Sequence, residues 1–188
     1  MDISYLFYLS SGLFLGWSLG ANDASNIFGT AVGSKMVRFT TIALISCFFV
    51  ILGAVYGGAG TSKTLGSLGA VNALAGAFMV ALSAALAVYF MARTGLSVSS
   101  SQAVVGAIIG WNIYAEKPTD LETLAQICTT WTLCPLLSGI VAVCLYFFFK
   151  KILKCSRMHL LMRDQITRIG LVVTAAISAY ALGANNIA

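Results

Sequence analysis

Five uncharged apolar stretches make up most of this chain, and each is about as long as a helix that crosses a membrane. They cover residues 3–21, 39–57, 71–92, 125–149 and 169–188. A helix needs about 20 predominantly apolar residues to cross the hydrocarbon core of a bilayer. Only 9% of the 188 residues are charged, against about 25% in soluble domains, so the chain cannot cover a packed core with a polar surface. The sequence therefore predicts an all-α integral membrane protein, a polytopic helix bundle.

A sixth apolar segment, residues 96–113, is shorter and begins with serines at 97 and 99–101, followed by Gln102. It is predicted either to cross the membrane as a short span or to turn back as half of a re-entrant hairpin. Hydroxyl groups at a helix N-terminus, together with free backbone N–H groups and the positive end of the helix dipole, can bind an anion. A polar loop that only caps a helix has a similar composition, so this signal is weak by itself.

The basic residues predict how the chain is oriented in the membrane. If all six segments cross, one side receives nine of the eleven Lys and Arg residues, and the other side receives Lys63 and Lys117. Cytoplasmic loops carry an excess of Lys and Arg. The nine-residue side is therefore predicted to be cytoplasmic, with the N-terminus outside.

Residues 150–168 form the only strongly charged stretch of the chain. Ile152, Leu160 and other large apolar residues alternate with its basic residues. This pattern predicts a basic cytoplasmic loop with an amphipathic helix lying on the lipid headgroups. Its charge alone gives no support to a nucleic-acid partner.

A polar motif ends the first apolar run, and a copy of it lies near the end of the chain. Both copies read Leu-Gly-Ala-Asn, followed by Asp23 in the first and Asn186 in the second. Because the first span is predicted to run inwards and the last outwards, the copies would be antiparallel, as in transporters built from inverted repeats. We predict that residues 1–168 form a first repeat, and that residues 169–188 begin a second repeat whose remainder lies in a longer chain.

Asp23 is a functional candidate because a carboxylate in or near lipid is costly to keep. Asn22, Asn26 and Thr30 recur at intervals of four, which would place them on one polar face of a helix. Their oxygens suit a small cation such as Na⁺ or a proton, and their N–H and O–H groups can donate to an oxyanion. A solvated helix cap would explain one such motif but not its repetition, so the functional interpretation is preferred.

Other classes of protein fit the sequence less well. No Lys or Arg clearly lies in mid-membrane, so an oxyanion would be held by neutral donors, helix ends and co-bound cations. An intramembrane enzyme lacks a second acidic residue beside Asp23, and the single histidine, His159, lies in the basic loop. A channel or a structural membrane subunit is the alternative from another class.

Three motifs resemble those of the inorganic phosphate transporter family of the PiT type. Residues 20–34 resemble its signature, residues 183–188 resemble the start of its second signature, and residues 95–106 resemble its serine/threonine-rich re-entrant motif. The resemblance implies a symporter in which Na⁺ or H⁺ drives phosphate uptake by alternating access. It also implies two inverted repeats, re-entrant hairpins, a homodimer and a place in the inner or plasma membrane. No cofactor is implied beyond the coupling ion.

The resemblance also implies which side chains face phosphate and the cations. These are Asn22, Asp23, Asn26, Thr30, Ser99, Ser100, Ser101, Gln102, Asn185 and Asn186. Asp23, with Asn22 and Asn185, would hold Na⁺. Two positions depart from the family's pattern: Gln102 stands where many relatives have histidine, and Asn186 where many have aspartate. Both changes remove a titratable group, which weakens the case for proton coupling and keeps sulfate open as an alternative substrate.

Overall fold

Seven α-helices account for nearly all of the structure. The structure, a computed structural model, describes residues 3–68, 74–155 and 159–186, and no strand occurs in these ranges. The helices are α1 (Ile3–Gly33), α2 (Phe39–Gly57), α3 (Ala59–Leu68), α4 (Leu74–Arg93), α5 (Ser100–Tyr114), α6 (Leu121–Cys155) and α7 (Leu160–Asn186). The prediction of an all-α membrane protein is confirmed.

Four helices in the described ranges are long and apolar enough to cross a membrane: α2, α4, α6 and α7. Each overlaps one of the predicted spans, and α2 has the same bounds as the predicted segment 39–57. The predicted span 3–21 lies in α1, which is not among the four. Serine, glycine and tyrosine residues are frequent in the first half of α1 and lower its mean hydropathy.

Helix α1 extends beyond the predicted span 3–21 and does not end at the polar motif. It continues for ten residues beyond Asp23, to Gly33. The backbone can remain helical because the segment has no proline and because the side chains of Asn22 and Asp23 find partners on another element. The chain turns only after Gly33, where Lys35 adopts a positive φ of 58°.

The predicted loop over residues 150–168 also differs from the structure. Helix α6 continues to Cys155 and α7 begins at Leu160, so the basic residues described here lie on two helix ends rather than on a separate surface helix. Residues 156–158 lie outside the described ranges. The segment contains no proline or glycine before Gly170, and its long side chains are good helix formers, so both spans extend into it.

Contacts between helices show the directions in which they run. Phe7 of α1 stacks on Phe78 of α4 at 4.9 Å between ring centroids, and Trp17 contacts Tyr89 at 5.7 Å. Since the residue numbers rise together, α1 and α4 run parallel. Helix α7 packs on the later part of α1 in the opposite sense, because Ala31 shares a cluster with Ala175 while Asp23 shares a cavity with Asn185.

Helices α2 and α7 cross with their backbones in contact. A Cβ atom on Gly53 would overlap the Tyr180 carbonyl oxygen, and one on Gly183 would overlap the carbonyl oxygen of Val50. Small residues that let helix backbones approach closely are typical of membrane helix pairs. The Leu-Gly-Ala-Asn motif of α7 therefore has a packing role at Gly183 in addition to whatever role Asn185 has.

Helices α4 and α5 form an antiparallel hairpin that presents the serine run at its turn. Gly76 near the start of α4 lies against Trp111 near the end of α5, and Gly95 in the turn has a φ of +79°. The Ser99 hydroxyl accepts a hydrogen bond from the Gln102 backbone N–H at 3.4 Å and so caps α5. With 15 residues, α5 is about 22 Å long, which is shorter than the hydrocarbon core.

Candidate functional site

The Asn22 side chain joins the polar motif of α1 to the serine turn. Its carboxamide nitrogen donates to the Val98 carbonyl oxygen at 2.7 Å, and its carboxamide oxygen accepts from the Val98 backbone N–H at 3.2 Å. The same nitrogen donates to Asp23 Oδ1 at 2.9 Å. Because Asn22 is only 6% exposed and its polar atoms have partners, its main role in this structure is to hold the serine turn against α1.

The Asp23 carboxylate lies between the two elements that Asn22 joins. Its Oδ1 accepts from Asn22, and its Oδ2 accepts from the Ser100 hydroxyl at 3.3 Å. Asp23 is 7% exposed and Ser100 is 4% exposed. The α4–α5 hairpin brings Ser100 to Asp23, so that two residues 77 positions apart in the chain are in direct contact.

Asp23 faces a cavity of about 890 Å³ that six helices line. The polar residues in its lining are Asp23, Asn26, Thr61, Thr64, Ser101, Gln126, Thr130, Ser178 and Asn185. None of the described lining residues is Lys, Arg or His. The negative charge of an ionised Asp23 therefore has neutral neighbours only, and a bound cation or proton is the simplest means of balancing it.

The structure brings together some of the predicted site residues and leaves others outside the cavity. Asp23, Asn26, Ser101 and Asn185 line it. Ser100 lies beside it, in a small adjoining space of about 50 Å³ that Ser101 and Asn185 also line. Thr30, Ser99 and Gln102 are exposed and lie outside the cavity lining. The side chain of Asn186 is not among the described residues.

Five polar lining residues were missed by sequence reasoning: Thr61, Thr64, Gln126, Thr130 and Ser178. The sequence contained a pattern that could have identified two of them. Gln126 and Thr130 are four apart in an otherwise apolar segment, which is the spacing that identified Asn22, Asn26 and Thr30. Thr61 and Thr64 stand in a glycine- and serine-rich stretch that has no such apolar background, so nothing distinguished them from a polar loop.

The end of α7 is held at the cavity by α2 and α3. The Thr61 hydroxyl donates to the Ala184 carbonyl oxygen at 3.1 Å, and Gly57 leaves room for the Ala184 methyl group. These contacts place Asn185 at the cavity that Asp23 also lines. The first turn of α5, which is the positive end of that helix dipole, lies at the same cavity, because Ser101 lines it.

This arrangement can hold an anion and a cation side by side. The backbone N–H groups in the first turn of α5 are donors of the kind that an oxyanion binds, and Ser101 of that turn lines the cavity. The Asp23 carboxylate and the carboxamide oxygens of Asn26 and Asn185 are hard oxygen ligands of the kind that small cations prefer. Asn22, one of the predicted Na⁺ ligands, uses its carboxamide oxygen on Val98.

Comparison with known proteins agrees with these features. Residues 19–165 match the profile of a family described as the phosphate transporter family. A Mycobacterium bovis protein with the provisional name phosphate permease is 31% identical over 159 residues, which cover 74% of this chain and 29% of that protein. A Methanocaldococcus jannaschii protein with the same provisional name is 26% identical over 188 residues, which cover 100% of this chain and 59% of that protein.

A mammalian protein is also similar. Sodium-dependent phosphate transporter 1 of Mus musculus is 30% identical over 143 residues, which cover 70% of this chain and 21% of that protein. The chain spans less than two thirds of the length of each of these relatives. No solved structure shows a significant match. Since the family profile covers most of the sequence, including the polar motif of α1 and the serine turn, the chain belongs to the phosphate transporter family.

Proposed function

We propose that the protein is a secondary active symporter that couples the movement of Na⁺, or alternatively H⁺, to the uptake of inorganic phosphate by alternating access. Membership of the phosphate transporter family supports the substrate. The observation that carries the coupling is the buried Asp23 carboxylate, which faces a polar cavity without a basic residue among the described lining residues. The family is one of transporters, and we propose no enzymatic activity.

Electrostatics explains why a cation would accompany phosphate. Two like unit charges 4 Å apart in a partly buried site repel by about 4 kcal/mol, and phosphate near neutral pH carries one to two negative charges. With Asp23 ionised and no basic side chain in the described lining, phosphate would enter an unfavourable field. A cation on Asp23 removes that repulsion, so the two ligands would bind cooperatively.

Na⁺ is the preferred coupling ion. Two relatives carry sodium-dependent phosphate transporter as part of their names. In this chain Asn26 and Asn185 offer carboxamide oxygens near Asp23, and the serine motif has Gln102 rather than a titratable group. Proton coupling would depend on Asp23 alone among these residues.

We also propose the membrane, the orientation and the subunit assembly of the protein. The protein would lie in the inner or plasma membrane with its N-terminus outside and the basic ends of α6 and α7 in the cytoplasm. It would work as a homodimer of subunits built from two inverted repeats, with α5 as half of a re-entrant hairpin. The opposite directions of α1 and α7 support the repeat, and the shortness of α5 supports the hairpin.

Uptake of radiolabelled phosphate into cells or proteoliposomes that contain the protein tests the substrate. We expect uptake against a phosphate gradient when Na⁺ is high outside, and little uptake when K⁺ replaces Na⁺ without a pH gradient. Uptake of sulfate in place of phosphate would overturn the phosphate assignment. Phosphate movement that only follows its own gradient would indicate a channel, and no movement under any gradient would favour a structural subunit.

A further inference from the structure

A second concave site lies between the end of α6 and the start of α7. It encloses about 670 Å³. Three of its lining residues are basic and three are aromatic or aliphatic. They are Lys150, Lys154, Arg163, Tyr146, Phe149 and Leu153. This combination of cations over an apolar wall differs from the neutral polar lining of the transport cavity.

The spacing along α6 builds most of this site. Tyr146, Lys150, Lys154 and the apolar residues between them recur at intervals of three and four, which places them on one face of the helix. The Lys150 ammonium lies over the Tyr146 ring, 5.3 Å from its centroid. Such a cation–π contact keeps the charged end of the side chain beside the pocket. Arg163 adds a third cation from the first turn of α7.

The positive charge of this pocket is not cancelled by its surroundings. None of the described residues in the lining is acidic. The nearest acidic residue in the chain, Asp164, pairs with Arg168 at 3.6 Å instead. An anion that enters the pocket would therefore meet three cations without displacing a bound carboxylate.

We propose that this pocket binds an anionic phospholipid. The phosphate group would lie among Lys150, Lys154 and Arg163, and the start of an acyl chain would lie along Phe149 and Tyr146. Basic pockets at the ends of membrane helices are suited to acidic headgroups. Inorganic phosphate carries the same charge chemistry but gains nothing from the apolar wall, so the lipid is the better match.

This site is separate from the transport cavity. Thr130, which lines that cavity, precedes Lys150 by 20 residues along α6, a distance of about 30 Å at 1.5 Å per residue. The lipid proposal depends only on the protein lying in a membrane. If it fails, the proposed transport of phosphate is unaffected.

Native mass spectrometry of the protein in neutral detergent tests the proposal, with phosphatidylglycerol as the probe and phosphatidylcholine as the comparison lipid. One variant neutralises the three cations of the pocket, and a control variant neutralises three exposed cations outside it. The first is Lys150→Gln with Lys154→Gln and Arg163→Gln, and the control is Lys35→Gln with Arg38→Gln and Lys151→Gln. Both lower the net charge by three, and Lys151 is the immediate neighbour of Lys150.

We expect the wild-type protein to retain phosphatidylglycerol in preference to phosphatidylcholine. Each basic residue near an anionic headgroup contributes about fivefold to binding, so the pocket variant should bind on the order of a hundredfold more weakly. The control variant should stay within about threefold of wild type, because its cations are outside the pocket. If the triple variant does not fold, Lys154→Gln alone should lose about fivefold.

Several results would overturn the proposal. Equal losses in the pocket and control variants would show that only net charge matters, and equal retention of the two lipids would show no headgroup recognition. Displacement of the lipid by an equal concentration of inorganic phosphate would show that the pocket binds the free anion instead. Unchanged retention in the pocket variant would place the lipid elsewhere.

Discussion

At the scale of single residues, Asn22 shows why a side chain in a functional motif need not touch a ligand. Its carboxamide matches both backbone groups of Val98, so it acts as a clamp that holds the serine turn next to Asp23. The sequence pattern grouped Asn22 with Asn26 and Thr30 because all three lie on one helix face. Only Asn22 contacts Val98 of the serine turn, 76 positions away. A local sequence pattern does not show such a distant contact.

Replacement of Asn22 by alanine should destabilise the protein strongly. The half-buried Val98 N–H and C=O groups and the buried Asp23 carboxylate would lose their Asn22 partner, and a buried polar group left without a partner costs about 1–3 kcal/mol. We expect Asn22→Ala to lower the free energy of unfolding by about 2–5 kcal/mol. Thermal unfolding in detergent measures this. Asn26→Ala, at an exposed position on the same helix, should change the free energy of unfolding by less than about 0.5 kcal/mol. Equal destabilisation by Asn22→Ala and Asn26→Ala would contradict the role of Asn22 as a clamp.

Asp120 gives a prediction about pH outside the membrane segments. It lies just before α6, where the Thr123 hydroxyl and the Glu122 backbone N–H donate to its carboxylate. These hydrogen bonds, with that from Thr123 the larger cause, hold the pKa of Asp120 below its ordinary value of 3.8. The stabilisation from this cap is therefore complete when the pH is above the ordinary pKa of 3.8, and it is lost as the pH falls through the lowered pKa of the folded protein.

Hydrogen exchange at the first turn of α6 checks the Asp120 cap. Protection of the Glu122 backbone N–H should fall as the pH drops below about 4, after correction for the intrinsic rate. In Asp120→Asn the protection should no longer depend on pH in this range. A wild-type pH dependence that persists in Asp120→Asn would mean that another group is responsible.

At the scale of helices, the predictions succeeded where a helix is apolar throughout and failed where tertiary contacts or helix extension determine its end. The bounds of α2 matched because the residues just outside it, Arg38 and Gly58, differ clearly from the apolar run. Helix α1 extends beyond the predicted span 3–21, because the polar side chains of Asn22 and Asp23 have partners on the α4–α5 hairpin and the helix continues to Gly33. The basic stretch after residue 149 was misread because charge marks the membrane surface and not the end of a helix.

The crossing of α2 and α7 should not tolerate a methyl group. In Gly183→Ala the added Cβ would overlap the Val50 carbonyl oxygen, and backbone cannot move aside as a flexible side chain can. Overpacking of this kind costs about 1–3 kcal/mol, and here it would also displace Asn185. Gly139→Ala is a matched control, because its Cβ would meet nothing within 4 Å on α6.

Thermal unfolding distinguishes these two glycine variants. Gly183→Ala should unfold at a lower temperature than wild type, while Gly139→Ala should equal or exceed wild type, since alanine favours a helix by about 1 kcal/mol over glycine. Equal stability of the two variants would contradict the backbone contact between α2 and α7.

At the scale of the whole molecule, the cavity depends on helices that run in opposite directions. Charge bias in the sequence predicted that α1 and α7 would be antiparallel, and the contacts around Ala31 and Asn185 have that sense. The paired motifs also directed attention to residues that share one cavity. The positions of Gln126 and Thr130 in the cavity lining could not be predicted in the same way. A few polar residues in an apolar span show which face of the helix is polar, but not which other helix that face contacts.

In the proposed mechanism, a cation on Asp23 permits phosphate to bind. Linkage requires that each ligand change the affinity for the other by the same factor. If Na⁺ removes about 2–4 kcal/mol of repulsion, phosphate should bind roughly 30- to 1,000-fold more tightly in Na⁺ than in K⁺. Asp23→Asn should abolish that dependence on Na⁺, because it removes the charge that the cation neutralises.

The most direct measurement is the phosphate affinity of the purified protein, determined by calorimetry in Na⁺ and in K⁺ at equal ionic strength. Asp164→Asn serves as the control, since Asp164 is exposed and pairs with Arg168 far along the chain. We expect strong dependence of phosphate binding on Na⁺ in wild type and in Asp164→Asn, and none in Asp23→Asn. Phosphate binding that is equally tight in both salts, or that keeps its Na⁺ dependence in Asp23→Asn, would contradict the proposed mechanism.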